Sequence, residues 1–194
     1  MLDLDEPPND FLRDIPNNLS VPVDDGACNH LEGLTLPSVD LPSTAGGTIN
    51  PSQIPGWLVI YCYPMTGRPG RVIPDGWVQI PGAAGCTPQS CSFRDYYREL
   101  QALNTNVFGL STQTTKDQLE AAERLHLPFD LLSDESFQFA QKLRLPMFEL
   151  DGMRLTKRVT LIAKDGNIQK YFYPVFPADK NINEVLVWLR KYGS

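Results

Sequence analysis

The most informative stretch of the chain is residues 85–95, which read GCTPQSCSFRD. Threonine caps helices well and proline is favoured at their first position, so Thr87 and Pro88 predict a helix with Cys86 at its very start. Unpaired backbone N–H groups and the positive end of the helix dipole then lie beside the sulfur. Both favour the thiolate, which is the nucleophilic form of a cysteine. The stretch therefore predicts that Cys86 is a reactive nucleophile.

The second cysteine of this stretch, Cys91, lies five residues after Cys86. Within one regular α-helix their Cα atoms would be about 8.6 Å apart, whereas a disulfide requires about 7 Å or less. A bond between the two sulfurs therefore requires the first turns of the helix to unwind. Local opening of this kind suits a helix end that carries Pro88 and Ser90.

Other uses of a cysteine pair fit the spacing less well. Structural zinc sites use closer cysteine pairs with a second pair elsewhere in the chain, and a thioredoxin-type exchanger carries Cys-x-x-Cys. Two cysteines at this spacing in an intracellular protein are, from spacing alone, more often inert than functional. The spacing alone thus leaves a functional pair and an inert pair both open.

Strands and helices alternate around this stretch. Residues 57–63 form a continuous apolar and aromatic run, which is typical of a central strand buried on both faces. Residues 65–85 are irregular and rich in glycine and proline, and loops of that length tend to be functional. Apolar residues at three- and four-residue spacing predict one amphipathic helix over residues 88–103.

The later part of the chain predicts further strands, helices and a hairpin. The strands are residues 106–110 and 129–132, the helices are 115–125, 134–143 and 181–191, and the hairpin joins 155–163 to 168–173 through Asp165-Gly166. Thr114-Thr115 and Asp134 are predicted to cap the first two of these helices. Alternation with a late hairpin predicts an α/β domain whose central mixed sheet is flanked by helices on both faces.

Residues 1–55 differ from the rest in composition, because they are rich in proline, aspartate, asparagine, serine and glycine with weak periodicity. They predict an N-terminal extension with a short hairpin at residues 36–49, followed by one domain over residues 56–194. Cys28 lies in this extension, where an accidentally exposed thiol is the default expectation. Cys62 lies inside the apolar strand and is expected to be a small buried core residue.

Composition and charge exclude several classes of function. The net charge is −6 and lysine and arginine do not cluster, so a nucleic-acid partner is not expected. The first ten residues are acidic and carry no basic and apolar signal, and no run approaches the roughly 20 apolar residues of a membrane span. We therefore expect no membrane association and a reducing compartment, most simply the cytoplasm.

Residues 85–95 resemble the peroxiredoxins, and among them the peroxiredoxin Q group, also called bacterioferritin comigratory proteins. That group carries Gly-Cys-Thr-x-x-x-Cys-x-Phe-Arg-Asp after a strand that ends in an aromatic residue and proline. The resemblance covers roughly residues 55–190 and includes Tyr63-Pro64, the run VFGLST at 107–112 and the run LPFDLLSD at 127–134.

The resemblance implies a thioredoxin-like fold and the reduction of hydrogen peroxide and organic hydroperoxides. It implies that Cys86 is the peroxidatic cysteine, that Cys91 is the resolving cysteine, and that the two form an intramolecular disulfide. A thioredoxin-like protein would be the reductant, and no metal or bound organic cofactor is implied. Members of the group are often monomers, so a monomer is expected.

The motif around the peroxide departs from the family in one place. Peroxiredoxins carry Pro-x-x-x-Thr-x-x-Cys, whose threonine hydroxyl touches the peroxide and the thiolate. Here Ala83 stands three residues before Cys86, and Pro64 is separated from Cys86 by the long loop. Either Thr66 or Thr87 could supply the hydroxyl, and the sequence leaves both open. Pro64, Thr66, Ala83 and Thr87 are therefore the candidate substrate-binding residues.

The resemblance also implies an arginine near the thiolate on a later strand. The family's Arg-x-Thr pattern fits Arg158 and Thr160, whereas counting back from the turn glycine, Gly166, leads to Lys157. Neighbours on a strand face opposite ways, so only one of the two can point at Cys86. We favour Arg158, because a guanidinium group offers fixed donors to both sulfur and peroxide oxygen.

Two functions of other classes remain as alternatives. The first is a redox sensor or binding module, in which Cys86 and Cys91 form a switch that changes shape on oxidation. The second is a thiol–disulfide exchanger, which would reduce disulfides and ignore peroxide. Steady peroxide consumption distinguishes a peroxidase from both.

Overall fold

The structure is a computed structural model that describes residues 19–193. Its strands, numbered in chain order, are β1 (Leu41–Pro42), β2 (Thr48–Ile49), β3 (Trp57–Cys62), β4 (Thr105–Ser111), β5 (Leu131–Ser133), β6 (Met147–Leu150), β7 (Met153–Thr156), β8 (Val159–Lys164) and β9 (Asn167–Phe172). Its α-helices are α1 (Cys86–Asp95), α2 (Tyr97–Ala102), α3 (Thr115–Arg124), α4 (Gln138–Leu143) and α5 (Asn181–Tyr192).

The central sheet has the strand order β5-β4-β3-β8-β9. Strand β3 pairs in parallel with β4 and antiparallel with β8, and β8 pairs antiparallel with β9. All six residues of β3 are buried, as expected for a central strand that is covered on both faces. The predicted mixed sheet and the predicted hairpin at Asp165-Gly166 are confirmed.

Helices cover both faces of this sheet. Since side chains alternate along a strand, Trp57, Val59 and Tyr61 of β3 pack on one face with residues of α1, α2, α3 and α5. The intervening side chains of β3 pack on the other face with residues of α4. The predicted α/β architecture with flanking helices is confirmed.

The N-terminal part of the chain contributes to the second face. Cys28 and Leu31 are fully buried there, so the expectation that Cys28 is an exposed thiol is wrong. Strands β1 and β2 pair antiparallel within the range where the sequence predicted a short hairpin. The division of the chain at residue 55 stays a prediction, and residues 1–18 of the extension lie outside the described residues.

The predicted helix over residues 88–103 is in fact two helices. Helix α1 begins at Cys86 and ends at Asp95, and α2 follows after Tyr96, whose backbone angles are not helical. The apolar spacing continues across the break, which is why periodicity alone could not locate it.

The predicted strand over residues 155–163 is also divided. Strand β7 pairs with β6 in a separate two-stranded sheet, whereas β8 belongs to the central sheet. The chain crosses from one sheet to the other at Lys157 and Arg158, which lie between the two strands. This crossing places the two candidate cations outside both ladders.

Both predicted capping residues, Thr114 and Asp134, accept hydrogen bonds from N–H groups at the start of a helix. Thr114 accepts a hydrogen bond from the N–H of Asp117 and caps α3 as expected. Helix α4 starts four residues later than predicted, at Gln138 rather than Asp134. The carboxylate of Asp134 nevertheless accepts hydrogen bonds from the N–H groups of Phe139 and Ala140. Within residues 19–193, no helix has the length and apolar character needed to cross a membrane.

Gly109 of β4 provides a test of how tightly this core is packed. A Cβ atom at this position would lie 2.5 Å from Cδ2 of Leu131 and 2.6 Å from the hydroxyl of Tyr61. Gly109→Ala should therefore lower the free energy of unfolding by about 1–3 kcal/mol through overpacking. Urea denaturation measures the loss.

The matched control for this prediction is Leu131→Ala, which opens space beside the new methyl group. Because the two changes are in contact, the double variant should lose less stability than the sum of the single variants. Additive losses would contradict the close approach of Gly109 to Leu131.

Candidate active site

Helix α1 begins at Cys86 because Gly85 turns the chain into it. Gly85 has φ of +104°, a conformation that favours glycine, and it precedes α1 as the N-cap without a side-chain hydrogen bond. The expectation that Thr87 caps the helix and that Pro88 is its first residue is therefore wrong by two positions. Pro88 still lies in the first turn. The N–H groups there have no partner within the helix, so the N–H that proline lacks costs no helical hydrogen bond. The sulfur of Cys86 thus sits at the N-terminus of the helix.

The sulfur of Cys86 is almost enclosed, since the residue is only 4% exposed. Its S–H faces the carbonyl of Ala83, with a sulfur–oxygen distance of 3.6 Å. On another side, Nη2 of Arg158 donates to Sγ over 3.2 Å. None of the four cysteines forms a disulfide, so this is the reduced state of the pair.

Arg158 connects the sulfur to the loop that precedes α1. The guanidinium group is 3% exposed and donates to several acceptors around Cys86. Besides Sγ, these are the carbonyl oxygens of Gly82 (3.3 Å), Ala83 (3.0 Å) and Ala84 (3.2 Å) and the side-chain oxygen of Gln89. The carbonyl and amide acceptors are neutral, whereas the sulfur carries a negative charge when ionised. A buried cation in this position stabilises a thiolate.

Lys157 faces away from this site. Its ammonium group forms an ion pair with Asp25, with an Nζ–Oδ2 distance of 3.0 Å. Of the two cations that the sequence left in competition, Arg158 is therefore the one beside Cys86.

A buried network of hydrogen bonds continues from Arg158 away from the sulfur. Gln89 accepts from Arg158 and donates to the side-chain oxygen of Asn181 over 3.1 Å. The same oxygen accepts from the hydroxyl of Thr160 over 2.6 Å. The network joins α1, β8 and the first residue of α5, and it orients the guanidinium. The sequence analysis identified Thr160 only as part of the Arg-x-Thr pattern.

Gln89 and Asn181 were missed by the sequence analysis. Gln89 lies within the stretch 85–95, and a polar residue that is fully buried on a helix is a signal of a specific partner. That burial is not visible from the sequence. Asn181 is 92 positions away from Gln89, so no local pattern connects the two.

The four candidate substrate-binding residues do not all meet at Cys86. Ala83 lies beside it, with its carbonyl oxygen 3.6 Å from the sulfur. Thr87 follows Cys86 in α1 and is buried, and Pro64 is buried two residues after the end of β3. The hydroxyl of Thr66 donates to the side chain of Gln113 over 3.2 Å rather than to Cys86. Thr66 lines a cavity of about 470 Å³ between the long loop and the ends of β4 and β7.

The second half of α1 packs against β3. The ring of Phe93 stacks on that of Tyr61 in β3, with centroids 4.5 Å apart and planes at 9°. The hydroxyl of Tyr61 donates to Ser90 over 3.2 Å. Cys91 is half-buried on the same helix. These contacts hold α1 from Ser90 onward, while the hydrogen bonds of Arg158 and Gln89 hold the turn that carries Cys86.

The other two cysteines, Cys28 and Cys62, are buried thiols that ionise with difficulty. Burial raises the pKa of the Cys28 thiol to about 12, and burial raises the pKa of the Cys62 thiol as well. The expectation that Cys62 is a buried core residue is confirmed. Across the part of the chain that the structure describes, no group of three or more His, Cys, Asp or Glu side chains is arranged to hold a metal ion.

Comparison with known proteins agrees with the fold. The profile of the Redoxin family matches residues 31–186, which is most of the chain. Peroxiredoxin Q, chloroplastic, of Populus jackii is 28% identical over 179 residues, which is 89% of this chain and 76% of that protein. The protein of the same name from Sedum lineare is 28% identical over 160 residues, which is 82% of this chain and 77% of that protein.

Solved structures show the same fold. The crystal structure of peroxidoxin BcpB from Mycobacterium tuberculosis superposes with a TM-score of 0.69 at 25% identity, over 84% of this chain and 98% of that chain. Peroxiredoxin Q from Xanthomonas campestris superposes with a TM-score of 0.65 at 18% identity, over 91% of this chain and 98% of that chain, which shows the fold alone.

The chain belongs to the redoxin family, and its fold is thioredoxin-like. Within that family it is peroxiredoxin Q-like, so the resemblance of residues 85–95 is confirmed. Its class of activity is that of a thiol-dependent peroxidase, which makes it an enzyme.

The raised pKa values predict how the cysteines respond to alkylation. A thiol with a pKa of about 12 has only about one thiolate in ten thousand molecules at pH 8, so Cys28 should resist iodoacetamide. Cys62 should resist it for the same reason. Mass spectrometry of the reduced native protein should find both unlabelled after Cys91 has reacted.

Guanidinium chloride supplies the control for the alkylation experiment. Unfolding removes the burial that raises the pKa of the thiols, so all four cysteines should then be labelled. Rapid labelling of Cys28 in the native protein would contradict its position in the core.

The position of Arg158 predicts its effect on peroxide reduction. Loss of one donor aimed at a developing negative charge slows a reaction by about 100-fold or more, so Arg158→Lys should slow peroxide consumption by a factor of that order. The measurement is the second-order rate constant of the reduced protein in a single turnover.

Arg154→Lys is the matched control, since Arg154 is exposed and lies over the ring of Phe137. It should react at the rate of the unmodified protein. If Arg158→Lys and Arg154→Lys were equally fast, Arg158 would have no part in the reaction.

Proposed function

We propose that the chain reduces hydrogen peroxide and organic hydroperoxides through a sulfenic acid on Cys86 and a disulfide between Cys86 and Cys91. The observation that carries the proposal is the 3.2 Å contact between Nη2 of Arg158 and Sγ of Cys86 at the start of α1. It supports the proposal because cation and helix N-terminus act together on one sulfur.

The first step is attack of the Cys86 thiolate on one oxygen of the peroxide. A sulfur–oxygen bond forms, the oxygen–oxygen bond breaks, and the other oxygen leaves as hydroxide or alkoxide, which takes up a proton. The N–H groups of Arg158 and of the first turn of α1 are placed to stabilise the leaving charge. The product on the protein is a sulfenic acid, the first and reversible stage of cysteine oxidation.

The second step is condensation of the sulfenic acid with Cys91, which releases water and forms the disulfide. Both cysteines lie in α1, where a separation of five residues puts Cα atoms about 8.6 Å apart, too far for a disulfide. The first turn must therefore unwind. The stacked rings of Phe93 and Tyr61 support a local opening, because they can hold the rest of α1 in place.

The third step is reduction of the disulfide by a thioredoxin-like dithiol protein, as in peroxiredoxins generally. The compartment in which this takes place stays a prediction. The Populus jackii and Sedum lineare relatives are named chloroplastic, and the cytoplasm predicted from the sequence is not tested by that. The monomeric state likewise stays a prediction.

Cysteine variants test the proposal. Cys86→Ser should abolish peroxide consumption in an assay coupled to thioredoxin and its reductase, because the nucleophile is gone. Cys91→Ser should consume about one equivalent of peroxide without forming the intramolecular disulfide, and it should then over-oxidise.

Cys62→Ala is the matched control, since Cys62 is a buried thiol on β3 and takes no part in the proposed cycle. It should keep steady turnover. Full activity of Cys86→Ser would overturn the assignment. A single oxidation without steady turnover in the unmodified protein would favour the redox sensor instead.

A further inference from the structure

A short N-terminal segment lies against the active site from outside. We call this segment, residues 22–25, the N-terminal strap. Its last residue, Asp25, accepts hydrogen bonds from Nζ of Lys157 over 3.0 Å and from the hydroxyl of Tyr173 over 2.9 Å. These two hydrogen bonds, that of Lys157 first, lower the pKa of Asp25 to about 2, so the carboxylate is charged at neutral pH. The strap thus binds the residue that lies before β8, Lys157, and the residue that follows β9, Tyr173.

The ion pair between Asp25 and Lys157 affects the position of the neighbouring residue, Arg158. Lys157 and Arg158 form the crossing between β7 and β8, and the N–H of Lys157 donates to the carbonyl of Pro146 over 2.8 Å. The two neighbouring side chains contact different partners, since Nζ of Lys157 bonds to the exposed Asp25 and Nη2 of Arg158 bonds to the buried Cys86. When Asp25 holds Lys157 outward, Arg158 is directed inward to Cys86.

The other end of the strap covers an acceptor of Arg158. Pro22 lies next to Gly82, since a Cβ atom added there would be in van der Waals contact with the ring of Pro22, at 3.4 Å. The carbonyl of Gly82 accepts from Nε of Arg158 over 3.3 Å. The strap therefore touches both the backbone that carries Arg158 and the loop that receives its hydrogen bonds.

We propose that Asp25 is a positioning residue for the peroxidase reaction, acting through its ion pair with Lys157 to aim Arg158 at Cys86. The inference rests on the proposed function of Cys86 and Arg158. Asp25 does not touch the sulfur, so its effect is on the fraction of molecules in which Arg158 is correctly placed.

The sequence supplies a matched control beside it. Asp24 is an exposed carboxylate like Asp25, but its side chain accepts from the N–H of Gly26 within its own turn. Asp24→Asn changes the net charge by the same amount as Asp25→Asn and leaves the ion pair with Lys157 in place.

The test is the single-turnover rate constant of the reduced full-length protein with hydrogen peroxide, measured at low and at high salt. An ion pair between half-exposed groups is worth up to about 1 kcal/mol, so Asp25→Asn should slow the reaction by up to about 5-fold at low salt. Hydrogen peroxide is uncharged, so salt acts little on the encounter itself but screens the exposed ion pair. Salt should therefore slow the unmodified protein towards the rate of Asp25→Asn and leave that variant unchanged.

Reversal of the ion pair separates positioning from a general loss of stability. The double variant Asp25→Lys, Lys157→Glu should recover at least half of the rate lost in Asp25→Asn, and Asp24→Asn should react as the unmodified protein does. Equal rates for Asp25→Asn and the unmodified protein would overturn the inference, as would a slow Asp25→Asn that the reversed pair does not rescue. An unmodified protein that consumes no peroxide would instead overturn the proposed function.

Discussion

The active site depends on one buried guanidinium group. Arg158 joins the sulfur of Cys86, three successive carbonyls of the preceding loop and the side chain of Gln89. A buried cation must have its donors satisfied, and this one is satisfied by the chain that leads into α1. The same hydrogen bonds therefore fix the loop, the start of the helix and the position of the sulfur. The crossing between β7 and β8 places Arg158 beside the start of α1.

The reduced site and the proposed disulfide make opposite demands on α1. In the proposed cycle, attack on the peroxide requires Cys86 at an intact helix N-terminus, beside Arg158. Disulfide formation requires that turn to open, because helical geometry keeps the two cysteines apart. The stacked rings of Tyr61 and Phe93 lie beyond the turn that must open, so opening breaks the hydrogen bonds between that turn and Arg158 and can leave the second half of α1 in place.

Local patterns in the sequence predicted much of this fold and the positions of its chemical groups, while long-range contacts did not follow from them. The mixed sheet and the cap of α3 at Thr114 follow from periodicity and capping chemistry within a few residues. The break at Tyr96 was missed because it leaves the apolar spacing intact. The burial of Cys28 depends on packing against distant elements, so its exposure was predicted wrongly. The partnership of Gln89 and Asn181 joins two helices that are far apart in sequence, and only the folded chain reveals it.

Hydrogen exchange of the α1 backbone, measured by mass spectrometry before and after oxidation with one equivalent of peroxide, tests the central claim most directly. The account predicts that the first turn of α1 loses its protection when the disulfide between Cys86 and Cys91 forms, while β3 and the region around Phe93 stay protected. Peptide mapping of the same sample verifies the disulfide. A mapped disulfide together with unchanged protection throughout α1 would contradict the account, because a regular helix cannot hold both cysteines within bonding distance.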